Sequence, residues 1–238
     1  MANKIIEGIK NPQKVLQYLV LGKKNFSKFK NMQTMEERLR VTITDELKKS
    51  LSDELISIVH PSNALEFRMT QYSDISEHLS TLYILTIEFN LKQILELGTR
   101  TGESTIALLQ AAHEIGGFVT SIDVNPCLAA KKTIKALNFD KQWNFIQMDD
   151  LKVDWNNEID HLFIDTSHTF EHTLSELKKY EPLVRPGGII TLHDIVTYPE
   201  VLLAIEEYVK NRADLRFYKY FNNNGLGILM KRKYDVRN

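Results

Sequence analysis

The sequence predicts an α/β fold built on a mostly parallel, seven-stranded sheet with a helical N-terminal extension. From Gln93 onward, short apolar runs alternate with helical patterns, as in successive βαβ units. The alternation stops at two apolar runs that flank an Asn/Gly-rich turn, which indicates a C-terminal antiparallel hairpin. The N-terminal composition differs from the rest. We therefore expect an extension over residues 1–70 and one α/β domain over residues 71–238.

The extension is basic and has helical spacing. Over residues 1–45, lysines and arginines far outnumber acidic residues, while Val15, Leu16, Leu19 and Val20 recur at the spacing of one helix face. Such a helix can pack on the core or on a second subunit, and it can also lie on a membrane surface. We favour packing, and a homodimer formed through the extension is one candidate role.

The pattern predicts seven strands and four helices after residue 92. The predicted strands are Gln93–Leu97, Phe118–Ile122, Asn144–Gln147, His161–Ile164, Gly188–Leu192, Leu215–Phe221 and Leu226–Met230. The predicted helices are Glu103–Ile115, Pro126–Leu137, Phe170–Leu183 and Pro199–Arg212. Proline is tolerated at helix starts because its missing N–H has no helical partner there. We expect Arg185–Gly188 to end the third helix and turn the chain into the fifth strand.

Bulk composition excludes several classes of protein. The chain has 43% hydrophobic and 26% charged residues and a net charge of −1, which argues against whole-surface attraction to nucleic acid. A single cysteine, Cys127, rules out an internal disulfide and suits a reducing compartment. Charged residues interrupt the most apolar stretch, Leu79–Leu97, so it cannot span a membrane. We expect a cytoplasmic protein without an integral membrane segment.

A glycine loop follows the first predicted strand. Ile94–Gly102 reads as a buried strand that enters a turn and then a helix, the position where open α/β sheets bind ligands. The glycines are four residues apart, in the pattern E-x-G-x-x-x-G, whereas a dinucleotide loop reads G-x-G-x-x-G. The stretch resembles motif I of class I S-adenosylmethionine-dependent methyltransferases. The resemblance implies a Rossmann-like, doubly wound sheet and a methyl-donor site that includes Glu96, Gly98, Thr99, Gly102 and Ser104.

Acidic residues end the next two predicted strands. Asp123 lies about 20 residues beyond the loop, where such folds bind ribose hydroxyls, and a carboxylate suits a diol because it only accepts hydrogen bonds. By the same resemblance, Asp149 contacts the adenine amino group. The alternative for both acids is a helix cap or turn residue.

The fourth and fifth predicted strands end in Asp165 and Asp194, which should therefore converge on one crevice. Their surroundings, Asp165–Glu171 and Pro186–Asp194, resemble a subgroup of small-molecule and sugar O-methyltransferases with cephalosporin hydroxylase-like relatives. The resemblance extends over about residues 73–230 and implies a divalent cation, Mg²⁺ in most members, on Asp165, His193 and Asp194. Imidazole at His193 departs from the family pattern and favours a softer ion, or no ion.

His168 follows Asp165 by three residues, the position of the general base in related O-methyltransferases. An oxygen nucleophile must lose its proton as it attacks, and a histidine can accept that proton at neutral pH. The resemblance thus makes His168 and Asp165 the catalytic pair, with Asp165 also part of the donor site. The alternative is a loop histidine bonded to Glu171. His161 and His172 are interpreted as structural.

The sequence thus predicts methyl transfer from S-adenosylmethionine to a hydroxyl of a small molecule, with sugars and glycosylated metabolites as candidate acceptors. The alternatives are a cephalosporin hydroxylase-like protein and a non-catalytic S-adenosylmethionine-binding protein. A nucleic-acid methyltransferase is disfavoured because the chain lacks an aromatic–proline motif for a flipped base.

Overall fold

The computed structural model describes residues 61–71 and 73–232, which lie within one compact unit. Most of the predicted extension, including its basic helix and its candidate role in dimerisation, falls outside these residues, so the boundary at residue 70 stays a prediction. Among the helices of the described ranges, none combines the length and the apolar character that crossing a membrane requires.

A seven-stranded sheet forms the centre of the molecule, as predicted. The strands are β1 Gln93–Leu97, β2 Phe118–Asp123, β3 Trp143–Gln147, β4 Ile159–Ile164, β5 Val184–His193, β6 Leu215–Tyr220 and β7 Leu226–Lys231. Their order is β3-β2-β1-β4-β5-β7-β6, in which β1–β5 are parallel and β7 is antiparallel to both of its neighbours. The chain therefore reverses its winding between β1 and β4, where ligands bind in doubly wound sheets.

Two groups of helices flank the sheet. The helices are α1 Pro61–Thr70, α2 Leu79–Glu88, α3 Glu103–Ile115, α4 Leu128–Ala136, α5 Phe170–Tyr180 and α6 Pro199–Val209. Helices α1, α2 and α3 pack together, and α5 packs against α6. Every residue of β4 is buried, as expected for a central strand of a parallel sheet that is covered on both faces.

The Arg185–Gly188 segment differs from its prediction. Helix α5 ends at Tyr180 and a short 3-10 helix covers Glu181–Leu183, so the Pro-Gly-Gly segment lies inside β5 and ends no helix. The strand is longer because Val184 pairs with Ile159 on β4, with a shift in register before the next paired residue of β4. Gly188 permits this irregularity, since a Cβ there would lie 2.9 Å from the carbonyl oxygen of Asp160.

Helix α4 begins two residues later than predicted, at Leu128. Its N-cap, Cys127, has a φ of 45°, a left-handed conformation in which the helix cannot yet start. The free thiol is buried at this position, close to the crevice edge of the sheet. Pro126 therefore precedes the helix and is not part of its first turn.

Candidate active site

A crevice of about 450 Å³ opens at the carboxyl edge of the parallel strands, a size that suits a small-molecule ligand. It lies at the carboxyl ends of the paired strands β1 and β4, where the winding of the chain reverses. The predicted site residues in its lining are Gly98, Thr99, Ser104, Asp123, Asp149, Asp165, His168 and Asp194. The other three predicted site residues, Glu96, Gly102 and His193, do not line the crevice.

Gly98 ends β1 where two backbones nearly touch. Its φ is 88°, and a Cβ on it would lie 1.9 Å from the carbonyl oxygen of Asp165. Backbone hydrogen bonds from Gly98 to Ile122 and from Asp165 to Leu97, each 2.8 Å, hold the strand ends together. Only glycine fits here, because both the conformation and the close approach exclude a side chain.

The acid that ends β2 binds the glycine loop. Oδ2 of Asp123 accepts hydrogen bonds from the backbone N–H of Thr99 (2.9 Å) and of Arg100 (3.0 Å), and Oδ1 accepts one from Asn125 (2.8 Å). Burial would raise the pKa of Asp123, but these backbone donors lower it. A carboxylate offers about four acceptor positions, so at most one is left for a ribose hydroxyl. Its predicted role in binding ribose stays a prediction, while its role in shaping the loop is direct.

Glu96 faces into the protein, where it is fully buried. Its carboxylate accepts hydrogen bonds from the hydroxyl groups of Ser104 (2.7 Å), Thr105 (2.7 Å) and Ser121 (2.5 Å). Burial raises the pKa of Glu96 to about 7 despite these donors. Glu96 therefore supports the first turn of α3 and places Ser104 at the crevice without reaching the crevice itself.

Thr99 and Asp149 differ in what they offer a ligand. The Thr99 hydroxyl is buried and has no hydrogen-bond partner among the described residues, so a polar group in the crevice would satisfy it. Asp149 already accepts a hydrogen bond from the N–H of Leu151 (3.0 Å) and pairs with Lys152 (3.0 Å). Asp149 caps the short helix Asp150–Lys152, in agreement with the alternative interpretation of this residue as a helix cap. It also lines the crevice.

Asp165 and Asp194 converge on the crevice as predicted, and His168 lies beside them. Nε2 of His168 lies 2.9 Å from Oδ2 of Asp194 and 3.4 Å from Oδ1 of Asp165. These three side chains can present one ligand atom each within 4.8 Å of one another. Tyr198 stacks on the ring of His168 with centroids 4.1 Å apart and planes 10° apart, which fixes the orientation of the imidazole.

His193 approaches the same carboxylates from inside the protein. Its Nε2 donates a hydrogen bond to the carbonyl oxygen of Asp74 (3.1 Å). Its Nδ1 therefore faces Asp165 and Asp194, at 3.5 Å from each carboxylate. A ring nitrogen that donates to a backbone carbonyl is the arrangement that commonly orients metal-binding histidines.

The two carboxylates favour the protonated form of both neighbouring histidines. Burial alone would lower the pKa of each histidine, but Asp165 and Asp194 raise the pKa of His168 to about 9 and that of His193 to about 10. Burial would also raise the pKa of Asp165 and Asp194, but hydrogen bonds from the histidines lower it for both. Asp165, His168 and Asp194 fit a divalent cation, since a cation would balance the negative charge of the two carboxylates, whereas His193 is not part of this group.

A second group of ligand-type side chains lies beside the crevice. Nε2 of His172 is 3.2 Å from Oδ1 of Asp150 and 3.6 Å from Oε1 of Glu176. Burial raises the pKa of Glu176 well above its usual value, and repulsion from the neighbouring Asp150 raises this pKa further. His172 also lines the crevice, which its structural interpretation did not predict. His161 is fully buried between the hydroxyls of Thr86 and Thr191, as its structural interpretation predicted.

Sequence reasoning assigned no role to Asp74, Arg100 or Tyr198. Asp74 and Arg100 form a two-bond ion pair beside the loop, and both stand in stretches that the sequence motifs already covered. No sequence signal joins them, because they are 26 residues apart and have no common periodicity. Tyr198 directly precedes the proline that starts α6, so it looked like a helix-start residue only.

Comparison with known families identifies one matching model. Residues 95–195 match the family described as methyltransferase domain. The match begins inside β1 and ends just after β5, so it includes the glycine loop and all residues of the reaction centre. No curated protein matches the chain.

Solved structures share the fold at low sequence identity. A caffeoyl-CoA O-methyltransferase homologue from Staphylococcus aureus is 18% identical with a TM-score of 0.58, covering 80% of this chain and 99% of that one. An O-methyltransferase from Bacillus cereus in complex with SAH is 18% identical with a TM-score of 0.57, covering 79% and 97%. The O-methyltransferase TomG from Streptomyces achromogenes in complex with SAM is 18% identical with a TM-score of 0.54, covering 72% and 87%.

Proposed function

We propose that this chain transfers a methyl group from S-adenosylmethionine to a hydroxyl of a small molecule. The match of residues 95–195 to a methyltransferase-domain model supports the proposal. The main support for this proposal is that Asp165, His168 and Asp194 lie close together at the crevice, beside the glycine loop. Solved O-methyltransferases with the same fold, one bound to SAM and one to SAH, support the choice of donor. Sugars and glycosylated metabolites are the first acceptors to test.

The loop residues suit the aminoacyl end of the donor. The Thr99 hydroxyl is buried and unpartnered, and Ser104 lines the crevice at the first turn of α3, where helical N–H groups are free. Asp123 keeps the loop in shape and offers its remaining acceptor position to ribose, and Asp149 borders the adenine end. The donor would therefore lie across the winding reversal with its methyl group near His168.

We assign His168 as the base that removes the acceptor proton. The raised pKa of about 9 means that the free base is only about 1% of His168 at pH 7, since each pH unit below the pKa costs a factor of ten. Asp165 and Asp194 would hold a divalent cation. When bound, such an ion supplies charge that lowers the pKa of an acceptor hydroxyl. Tyr198 keeps the His168 ring facing the two carboxylates.

The test is a methyl-transfer assay with labelled S-adenosylmethionine on sugars, phenols and glycosylated metabolites, with EDTA, Mg²⁺ or Mn²⁺. We expect transfer to at least one hydroxyl acceptor. Calorimetry with S-adenosylhomocysteine and NAD tests the donor independently of the acceptor. Binding of NAD without binding of S-adenosylhomocysteine would overturn the proposal.

A further inference from the structure

Asp74 contacts two functional parts of the molecule at once. It lies in the segment Ser73–His78, between α1 and α2. Its carboxylate receives two hydrogen bonds from Arg100, Nη1 to Oδ2 and Nη2 to Oδ1, each 2.6 Å. This two-bond geometry restricts both side chains more than a single contact would. Arg100 is part of the glycine loop, and its backbone N–H donates to Asp123.

The backbone of the same residue holds the reaction centre. The carbonyl oxygen of Asp74 accepts the hydrogen bond from Nε2 of His193, whose side chain is 1% exposed. A carbonyl can only accept, so this contact keeps the hydrogen on Nε2 and aims Nδ1 at the two carboxylates. Any displacement of the Asp74 peptide would rotate or release the His193 ring.

The segment around Asp74 is anchored to the turn between β6 and β7. The Asn223 side chain accepts from the N–H of Glu77 (2.8 Å) and donates to the carbonyl of Ser73 (2.9 Å). Nε2 of His78 lies 2.9 Å from the carbonyl oxygen of Asn222. Because both ends of the segment are held, a change in the Arg100–Asp74 pair must be taken up by the Asp74 peptide itself.

We propose that Asp74 is a positioning residue that couples the glycine loop to His193. This inference rests on the proposed function, since the loop is taken to hold the methyl donor. Donor binding that orders Arg100 would also order the Asp74 peptide, and through it the His193 ring. The donor site and the carboxylate pair would then adopt their working geometry together.

The test uses Asp74→Asn, which keeps the size and the backbone carbonyl but removes the charge, and Arg100→Lys, which cannot make the two-bond pair. Asp214→Asn is the matched control, because Asp214 makes a similar pair with Arg212 (2.8 and 2.7 Å) away from the crevice. Calorimetry measures affinity for S-adenosylhomocysteine. Nitrogen-15 NMR of the histidine side chains measures the state of the His193 ring, with His193→Gln used for its assignment.

We expect both test variants to weaken S-adenosylhomocysteine binding by about 2- to 5-fold, the range of an ion pair that is partly exposed. In wild type the ligand should shift the His193 Nε2 resonance, and in the two variants that shift should be smaller or lost. Asp214→Asn should behave as wild type. Weaker ligand binding with an unchanged His193 response would refute the coupling, as would a normal response in both variants.

The outcomes separate this inference from the proposed function. If wild type does not bind S-adenosylhomocysteine, the proposed function fails. In that case the His193 resonance of ligand-free Asp74→Asn still tests the contact, because a free ring would lose the Nε2 hydrogen bond. If Asp74→Asn does not fold, Arg100→Lys decides alone, since it tests the same ion pair without replacing Asp74.

Discussion

At the scale of single residues, Asp165 links the two halves of the crevice. Its carbonyl oxygen lies against Gly98 of the glycine loop, and its carboxylate faces His168 and His193. One residue therefore determines both how closely the loop approaches β4 and where the acidic pair lies. Gly98 and Asp165 therefore depend on each other in the folded structure, although they are 67 residues apart in the sequence.

Gly98→Ala should destabilise the protein strongly. The added methyl group would overlap the backbone of Asp165, and strained or overpacked sites of this kind cost more than about 2 kcal/mol of unfolding free energy. Denaturant unfolding measures the change. Gly116→Ala is the matched control: its φ is also positive, but a Cβ there meets nothing within 4 Å, so only conformational strain of about 1 kcal/mol is expected. Equal losses in the two variants would contradict the steric explanation.

His168→Gln should lower the rate of methyl transfer by about 100-fold or more while affinity for S-adenosylmethionine stays unchanged. In wild type, with metal removed, the rate should rise with pH until about pH 9. The sign follows from the raised pKa: below it His168 is protonated and cannot accept a proton, and above it the free base predominates. Rate and calorimetric measurements from pH 6 to 10 test both statements.

The control for this prediction is His113→Gln, on the exposed side of α3, where His113 contacts Gln142. It should leave the pH profile unaltered. A wild-type profile that is flat between pH 7 and 9, or an active His168→Gln enzyme, would exclude His168 as the base.

At the scale of elements, the first turn of α3 depends on a side chain from the neighbouring strand. Gly102 is the N-cap of this helix, with φ 89°, and it has no side chain to bond the free N–H groups. Glu96 on β1 instead binds the hydroxyls of Ser104 and Thr105 from below. The helix start is therefore held by tertiary contacts and leaves its N–H groups available to a ligand.

Glu96→Leu should lower the unfolding free energy by about 3 kcal/mol, because leucine fills a similar volume but leaves three buried hydroxyls without their acceptor, at about 1 kcal/mol each. Glu96→Gln should cost less, since an amide oxygen can still accept. Urea unfolding of both variants measures the difference. Equal stability of Glu96→Leu and wild type would show that the hydroxyl contacts contribute nothing.

At the scale of the whole molecule, the site depends on contacts between two segments that are far apart in the sequence. The segment before α2 supplies Asp74, and the β6–β7 turn holds that segment through Asn223, about 150 residues away. The antiparallel hairpin thus does more than complete the sheet edge, because its turn keeps the Asp74 carbonyl under His193.

Asn223→Gly should reduce the unfolding free energy by about 1–2 kcal/mol, because it removes the two hydrogen bonds to Ser73 and Glu77 while glycine tolerates the φ of 42°. Thermal unfolding measures the change. Asn138→Gly is the control, since Asn138 is exposed and also has a positive φ of 59°. An Asn223→Gly variant no less stable than the control would show that the turn is not an anchor.

The order of elements and the position of the glycine loop could be predicted from sequence, because they follow from local patterns. Apolar runs located all seven strands, and the glycine spacing with strand-end acids indicated a methyltransferase, which the family match confirms. The extent of β5 was missed because pairing of Val184 with Ile159 is a long-range contact with no local signal.

Only the tertiary structure could decide which side chains face the crevice. Sequence alone placed Glu96 in the donor site, but its carboxylate lies beneath the loop, because β1 alternates its faces and three hydroxyls surround this one. Likewise the Asp74–Arg100–His193 connection joins residues with no shared periodicity. Local patterns determine which elements form, whereas side-chain partners are determined by the packing of those elements in three dimensions.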